Sequence, residues 1–441
     1  MGDRSEKLFG TDGVRGRANT DITVELAIQL ARAATDKTAT EPVLIGRDTR
    51  RSGTMIAAAL HAGFNSVGVD TVDLGIIPVG GVSRLVRSVG ARYGVMVSAS
   101  HNPAPDNGIK FFGRDGAKLS DSEERAIERR YHSRAAVATV AGAGVGFQTT
   151  MANSVQRYVD YIKDGVAYSL RGLEFALDTA HGAAFQAAPM LFEILGAHVE
   201  VFNDEPTGMN INDGCGAMYP EALAEQANGH VGFCFDGDAD RLIAVDEDGE
   251  VVDGDVVLAI LVKHAIDRRK LKGNVVVTTV MANLGFKRAM GGLGVEVIET
   301  DVGDRAVLDA MRKSRAVLGG EQSGHVILED RSTGDGLRTA LRLAEVLAAT
   351  GLRLSELRKV MRSYPQVLTN VTVTSKTGWD TNDAITKAVA EAEVALGQDG
   401  RILVRASGTE PLIRVMVEAG EIGKANEIAE TVAAVVAAEH G

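Results

Sequence analysis

A chain of 441 residues is too long for one hydrophobic core and predicts two to four domains. Its apolar fraction of 45% and charged fraction of 24% are ordinary for a globular protein, and a net charge of −12 argues against nucleic acid or an anionic membrane as main partner. Cys215 and Cys234 are the only cysteines, which argues against a disulfide framework or a thiolate metal site and points to a reducing cytoplasm. The chain opens with mixed charges and no apolar core segment, so no signal peptide is expected. The most apolar stretch, 256–266, is interrupted by Lys263 and is too short to span a bilayer.

The loop Phe9-Gly10-Thr11-Asp12-Gly13-Val14-Arg15-Gly16 is tight and polar and either aims Arg15 at an anion or is a plain turn. Short β-rich runs then alternate with amphipathic helices, which predicts parallel sheets. Strands over 43–46, 69–74 and 93–99 alternate with helices over 54–67 and 79–89. The third strand ends abruptly in Ser98-Ala99-Ser100-His101-Asn102-Pro103. Reactive groups collect where strands of an open α/β sheet end, so a small hydroxyl there is a candidate nucleophile; a polar turn is the plain alternative. A strand over 108–112 carries Lys110, and a charged helix covers 120–132. The Ala/Gly/Val-rich tract 135–146 reads as a linker that closes a first domain at residue 147.

A second α/β unit, 148–253, holds a helix over 151–163, a strand over 174–178, a helix over 182–195 and strands over 199–202, 231–235 and 242–245. A third, 254–365, holds strands over 275–279, 295–300 and 316–319 and a long helix over 336–349. Both repeat the first unit's rhythm of a strand with chemistry-bearing residues at its end, a weak hint of triplication without a tight sequence repeat. After Tyr364-Pro365 the character changes. Strands over 367–373, 402–404 and 413–417 with helices over 382–396 and 423–438 make a small α+β domain, 366–441.

Asp236, Asp238 and Asp240 alternate with small residues between two strands. That spacing lets three carboxylates converge on one ion, and oxygen-only ligands select a hard cation such as Mg²⁺. A calcium EF-hand is the alternative, and Glu247 even occupies its twelfth position. Strand flanks and Arg241 in place of the sixth-position glycine disfavour it. The run Arg405-Ala406-Ser407-Gly408-Thr409-Glu410 reads as an anion-binding nest, with backbone N–H groups near Gly408, hydroxyls of Ser407 and Thr409, and Arg405 aimed at a phosphate and Arg414 on the next strand. A hairpin turn is the bland reading. In Gly320-Glu321-Gln322-Ser323-Gly324-His325, alternating Glu321, Ser323 and His325 could face a polyhydroxylated ligand, flanked by Asp304 and Arg305.

Together these loops resemble the α-D-phosphohexomutase family. The matching stretches are 9–16, 98–112, 236–241, 300–305, 319–325, 332–337 and 405–418, in the family's order from one end of the chain to the other. The resemblance implies an α/β fold of three related α/β domains with mixed sheets plus a C-terminal α+β domain around a central active-site cleft. It implies that Ser100 is a phosphoserine that donates and accepts phosphate, and that Asp236, Asp238 and Asp240 hold one Mg²⁺ with a Ser100 phosphate oxygen as a further ligand. Arg15, Lys110 and Arg241 would lie near the transferring phosphoryl group, with Lys110 and His101 as candidates for proton transfer. Glu321, Ser323 and His325, with Asp304 and Arg305, would bind the sugar. Arg405, Ser407, Gly408, Thr409 and Arg414 would grip the non-transferring phosphate. Ala239 stands where many members have glycine, which asks for ordinary backbone angles there, and Ala406 where proline is frequent.

The implied activity is reversible transfer of phosphate between C6 and C1 of a hexosamine through a bisphosphate intermediate, feeding UDP-N-acetylglucosamine synthesis. The family suggests a homodimer. Glucosamine is favoured by whole-chain resemblance over the glucose and mannose phosphates of sister enzymes. A non-catalytic sugar-phosphate-binding regulator is the alternative of another class, though no serine or aspartate of the set is lost. Charge explains the residue choice. A phosphoserine brings about −2 and the aspartates −3, against +2 from the metal. The remainder of about −3 is matched by Arg15, Lys110 and Arg241 if all are close, because phosphoryl transfer rests on positioning and charge neutralisation.

Overall fold

The computed structural model describes residues 7–10, 12–35, 41–133, 138–329, 332–407 and 411–441. The chain divides into two compact units, residues 1–281 with 296–359, and residues 282–295 with 360–441.

The first unit holds three mixed sheets. The first contains β1 (Val14–Arg17), β2 (Val43–Arg47), β3 (Thr71–Ile76), β4 (Tyr93–Val97), β5 (Asp106–Phe112) and β6 (Gln148–Thr150), in the order β1-β5-β4-β2-β3-β6. Strand β2 runs parallel to β3 and β4, whereas β5 returns antiparallel to β4 and β1 antiparallel to β5. The central strands are continuous apolar runs because both of their faces are covered. Val43, Ile45, Val95 and Val97 pack with Leu30 of α1 (Val24–Ala34) and Leu60 and Phe64 of α2 (Gly53–Asn65) in one buried cluster. Helix α1 escapes the sequence reading, although Thr23 Oγ1 accepts the Leu26 N–H at 3.1 Å as an N-cap. Helix α3 (Val79–Val89) matches its expected span, and β3 begins two residues later than expected. Helix α4 (Asp121–Ser133) opens on a reciprocal cap: Glu123 Oε2 accepts the Ser120 N–H at 2.8 Å while Ser120 Oγ accepts the Glu123 N–H at 3.4 Å.

The second sheet comprises β7 (Glu174–Asp178), β8 (His198–Phe202), β9 (Val231–Phe235), β10 (Leu242–Val245) and β11 (Val251–Val252), ordered β11-β10-β9-β7-β8. The third comprises β12 (Val275–Thr279), β13 (Glu296–Thr300), β14 (Gly319–Gly320) and β15 (Val326–Ile327), ordered β13-β12-β14-β15. The strand expected over 316–319 shrinks to Gly319–Gly320. Residues 316–318 are buried, but only Gly319 pairs with β12 before the chain turns back into β15.

One arrangement recurs in all three sheets. Two strands pair antiparallel, and the loop that joins them carries candidate residues: 98–105 between β4 and β5, 236–241 between β9 and β10, and 321–325 between β14 and β15. The weak sequence hint of triplication thus has a structural counterpart.

The second unit is an antiparallel sheet of β16 (Gln366–Thr372), β17 (Gly400–Ala406) and β18 (Leu412–Ala419), ordered β16-β18-β17. Helices Asp383–Leu396 and Ile422–His440 cover it, burying Ile385, Val415, Val417, Ala429 and Val432 together. Helix Leu284–Gly292 belongs to this unit too. The Leu284 N–H donates to Glu418 Oε2 at 2.9 Å, and the Asn283 amide bonds both the N–H and the C=O of Tyr364 at 2.9 Å. Among the described residues no helix is long and apolar enough to cross a membrane.

Candidate active site

Ser100 lies just beyond the carboxyl end of β4, 1% exposed, with φ at +52°. A serine in the left-handed region is strained and persists only where its surroundings hold it. Its N–H donates to Ser98 Oγ at 2.9 Å, and the Ser98 hydroxyl donates to Asp48 Oδ2 at 2.6 Å. Ser98 is therefore the support and Ser100 the free arm. The Ser100 hydroxyl donates to Asp236 Oδ2 at 2.5 Å, which joins the first sheet's loop to the second's.

Asp236, Asp238 and Asp240 lie in the turn between β9 and β10 and are all buried, each offering an oxygen within 4.8 Å of the others. Asp238 Oδ1 and Asp240 Oδ1 are buried with no hydrogen-bond partner among the described residues. Orphaned carboxylate oxygens in an all-oxygen set fit a hard divalent cation. The charge imbalance agrees: burial, then the charges of Asp240 and Asp238, push Asp236 up to about 8. Ala239 corrects an expectation. It does not take ordinary angles but sits at φ +59°, because the turn needs a left-handed residue at that place whichever side chain fills it. The ligands are undisturbed.

Lys110, on β5 and 1% exposed, reaches Asp238 at 2.8 Å, Asp12 at 2.9 Å and Asp240 at 3.7 Å. Burial favours the neutral amine, but the three carboxylates outweigh it and raise its pKa. Arg15 pairs with Asp12. Arg241 donates its backbone N–H to Asp236 Oδ1 at 3.2 Å and holds Nε 3.9 Å from Asp240. His101 stands beside these cations; burial first, then Arg241 and Arg15, lower its pKa to about 3, so the ring is neutral.

The 321–325 turn joins the same group. Gly324 has φ +91°, and a Cβ there would lie 2.3 Å from the Leu242 carbonyl oxygen, so glycine lets the turn pack on β10. His325 then lies between Asp240 (Nδ1, 3.6 Å) and Asp304 (Nε2, 3.6 Å). Burial opposes charging the ring, but Asp240 and then Asp304 outweigh it and raise the His325 pKa to about 9, so the ring carries its charge between the two carboxylates. Glu321 Oε1 accepts the Gly303 N–H at 3.1 Å, and Ser323 is half-buried on the same turn. Arg305 turns elsewhere. It grips Glu124 of α4 with two bonds, at 2.6 and 2.9 Å, and pairs with Asp121, a bidentate tie between the first and third sheets' elements.

Several participants escape the sequence reading. Asp12 pairs with Arg15, Lys110 and Lys118, and Lys118 bridges it to Asp304. The expected charge balance thus gains one anion and one cation, which cancel. Asp48, Arg50 and Asn212 surround the Ser100 backbone. The rule that found Ser100 applies equally to Arg47-Asp48-Thr49-Arg50 at the end of β2.

In the second unit, Arg405 faces Arg414 directly across the β17–β18 ladder. Burial, then the Arg414 charge, lowers the Arg405 pKa, as expected of two guanidinium groups gathered for an anion. Lys376 Nζ donates to the Ser407 carbonyl at 2.7 Å. Gly408 and Thr409 lie outside the described residues.

Comparison with known proteins places these features in a family. The models described as phosphoglucomutase/phosphomannomutase alpha/beta/alpha domains I, II and III and C-terminal domain match residues 6–138, 156–249, 253–364 and 368–435. The phosphoglucosamine mutase of Halalkalibacterium halodurans is 46% identical over 443 residues, 99% of each chain. That of Alkaliphilus oremlandii is 47% identical over 442 residues, 98% of each chain. Among solved structures, a phosphoglucomutase/phosphomannomutase family protein from Burkholderia thailandensis superposes with a TM-score of 0.82 at 25% identity, covering 98% of both chains. The N-acetylphosphoglucosamine mutase of Aspergillus fumigatus, in complex with GlcNAc-6P and magnesium, shares the fold with a TM-score of 0.71 at 17% identity, over 98% of this chain and 96% of that one. With relatives this similar from end to end, the chain belongs to the phosphoglucomutase/phosphomannomutase family.

Proposed function

We propose that this chain interconverts glucosamine 6-phosphate and glucosamine 1-phosphate, an isomerase of amino-sugar metabolism that supplies UDP-N-acetylglucosamine synthesis for the cell wall. The observation that carries the reading is a buried serine hydroxyl set on a buried aspartate triad, in a chain 46% identical over its length to proteins named for that activity.

Ser100, in its phosphorylated form, gives its phosphoryl group to the free O1 or O6 of the sugar phosphate. The sugar hydroxyl loses its proton as the new P–O bond forms and the Ser100 Oγ–P bond breaks. The resulting bisphosphate turns end for end and returns its other phosphoryl group to Ser100. Neutral His101 can accept the hydroxyl proton; Lys110, the other candidate from sequence, is kept charged by Asp12, Asp238 and Asp240 and has no lone pair to take it. Arg15, Lys110 and Arg241 steady the charge on the equatorial oxygens. Glu321, Ser323 and His325, with Asp304, read hydroxyls shared by both orientations, and Arg405, Ser407, Gly408, Thr409 and Arg414 hold the phosphate that is not moving. Arg305 supports the site through Glu124. Asp236, Asp238, Asp240 and a Ser100 phosphate oxygen would hold one Mg²⁺, which when bound neutralises charge on the transferring group.

The division of labour follows four domains: nucleophile 1–147, metal 148–253, sugar 254–365 and distal phosphate 366–441. Two buried, unbridged cysteines support a reducing cytoplasm as its location. The working assembly is a homodimer that needs neither nucleic acid nor membrane.

A coupled assay across glucosamine, glucose and mannose 6-phosphates tests the substrate. Glucosamine 6-phosphate should turn over fastest, and a higher kcat/KM for either rival overturns the assignment. Chelation should abolish turnover and Mg²⁺ restore it; full activity with calcium alone would point to a different metal site.

A further inference from the structure

We propose that Arg50, seconded by Asn212, is a positioning residue that holds Ser100 in its attacking place by clamping the backbone of the loop around it. The proposal rests on Ser100 being the nucleophile.

Arg50 is 1% exposed, and its guanidinium spends every donor within this neighbourhood. Nε donates to Asp48 Oδ2 at 2.9 Å, Nη1 to the carbonyls of Pro103 and Asp106, and Nη2 to the carbonyls of Ser100 at 2.9 Å and Asn102 at 2.7 Å. An arginine has five N–H donors in a fixed planar fork, and here all are used. Three acceptors, Ser100, Asn102 and Pro103, belong to the loop that carries Ser100, and a fourth, Asp106, opens the strand that follows it. The fifth, Asp48, accepts the Ser98 hydroxyl, which in turn holds the Ser100 N–H. Asn212, from the second sheet's side, donates Nδ2 to the same two carbonyls, Ser100 at 2.9 Å and Asn102 at 3.1 Å.

Both peptide groups flanking the Ser100 side chain are therefore held, one through Ser98 and one through Arg50 and Asn212. This is what a serine at φ +52° needs, because the conformation is unfavourable unless its neighbours over-determine it. With no donor left over, Arg50 acts through the loop and not on the substrate. A lysine offers three donors on a flexible stem and cannot span carbonyls arranged around a plane.

The test compares Arg50→Lys, Asn212→Ala and Ser100→Ala with the parent enzyme charged with Mg²⁺ and glucosamine 1,6-bisphosphate. Arg50→Lys should lower kcat about 100-fold, the effect of roughly an ångström of misplacement, with KM for glucosamine 6-phosphate changed less than threefold. Asn212→Ala, which leaves the arginine in place, should lower kcat about tenfold with the same unchanged KM, and should lower the melting temperature somewhat, since the position is left-handed at φ +58° and loses two hydrogen bonds. Phosphorylation of Ser100 by the bisphosphate, followed by intact mass, should slow in step with kcat. Should Arg50→Lys fail to fold, the Asn212→Ala result decides. Normal kcat in either folded variant, or a raised KM with kcat intact, overturns the clamp. Turnover surviving in Ser100→Ala overturns the nucleophile assignment instead.

Discussion

Gly237 stands between the aspartate turn and Ser100, and replacing it with alanine tests how tightly the two must meet. An added Cβ would lie 2.5 Å from the Ser100 carbonyl oxygen, 2.8 Å from Ile211 Cδ1 and 3.0 Å from Asn212 Nδ2. The isoleucine can rotate away. The carbonyl cannot, since Arg50 and Asn212 each hold it at 2.9 Å. Reaching ordinary contact would part the two backbones by roughly 0.9 Å, an overpacking that typically costs about 1–3 kcal/mol of stability. The same displacement moves the Ser100 hydroxyl relative to Asp236, and about an ångström of misplacement lowers a reaction rate about 100-fold. That is an increase of about 2.7 kcal/mol in the barrier. Steady-state kinetics should show the loss in kcat with KM nearly constant, and a denaturant melt should show the modest destabilisation. Gly291→Ala is the matched control: nothing lies within 4 Å of its added methyl, and in a helix it should stabilise by up to about 1 kcal/mol with kcat unchanged. A folded Gly237→Ala enzyme with kcat within threefold of the parent would refute the reasoning.

Further expectations are open to the same instruments. Ala239→Gly should raise stability by about 0.5–1 kcal/mol, since the left-handed backbone at φ +59° no longer carries a Cβ, and activity should hold; a destabilised variant would mean the turn is unstrained. His61 is buried beside Thr71, its Nδ1 2.8 Å from the threonine hydroxyl, and burial pushes its pKa down against the opposing pull of Asp73. A base whose folded pKa is depressed contributes full stability above its unfolded value of about 6.5 and loses it as pH falls below that towards the folded value. His61→Gln should therefore flatten the decline of the melting temperature between about pH 6.5 and 5, and an unchanged slope would remove His61 from the acid limb.

The residues that sequence exposes most clearly are those where one pattern breaks into another. An apolar run that stops at Ser98-Ala99-Ser100-His101 announces its end, and three aspartates between two apolar strands announce their convergence. Most strands and helices were legible for the same reason, since period and punctuation agree. Other features depend on partners far along the chain. Asp12 and Lys118 look like solvated charges until folding brings each to an opposite charge in a neighbouring element. Arg50 reads as a surface arginine near a helix start, whereas folding wraps four carbonyls around it. Arg305 sits in a motif that suggests the sugar, but Glu124 lies closer to hand. The left-handed angle at Ala239 was hidden because alanine carries no mark of backbone conformation. The brevity of β14 was hidden because a buried apolar run looks the same whether or not it finds a ladder.

The recurring antiparallel pairs have a consequence for how this chain can vary in length. Each reactive loop is the bend of a ribbon whose two arms are bonded to each other, so bend length and ladder register are one quantity. An extra residue between Phe235 and Leu242 must either bulge outward or slide β10 by one place, and sliding sends every side chain of that strand to the opposite face. The helical crossovers on the other connections carry no such coupling. Insertions, tags and engineered linkers should be tolerated there, while the three bends behave as fixed-length parts.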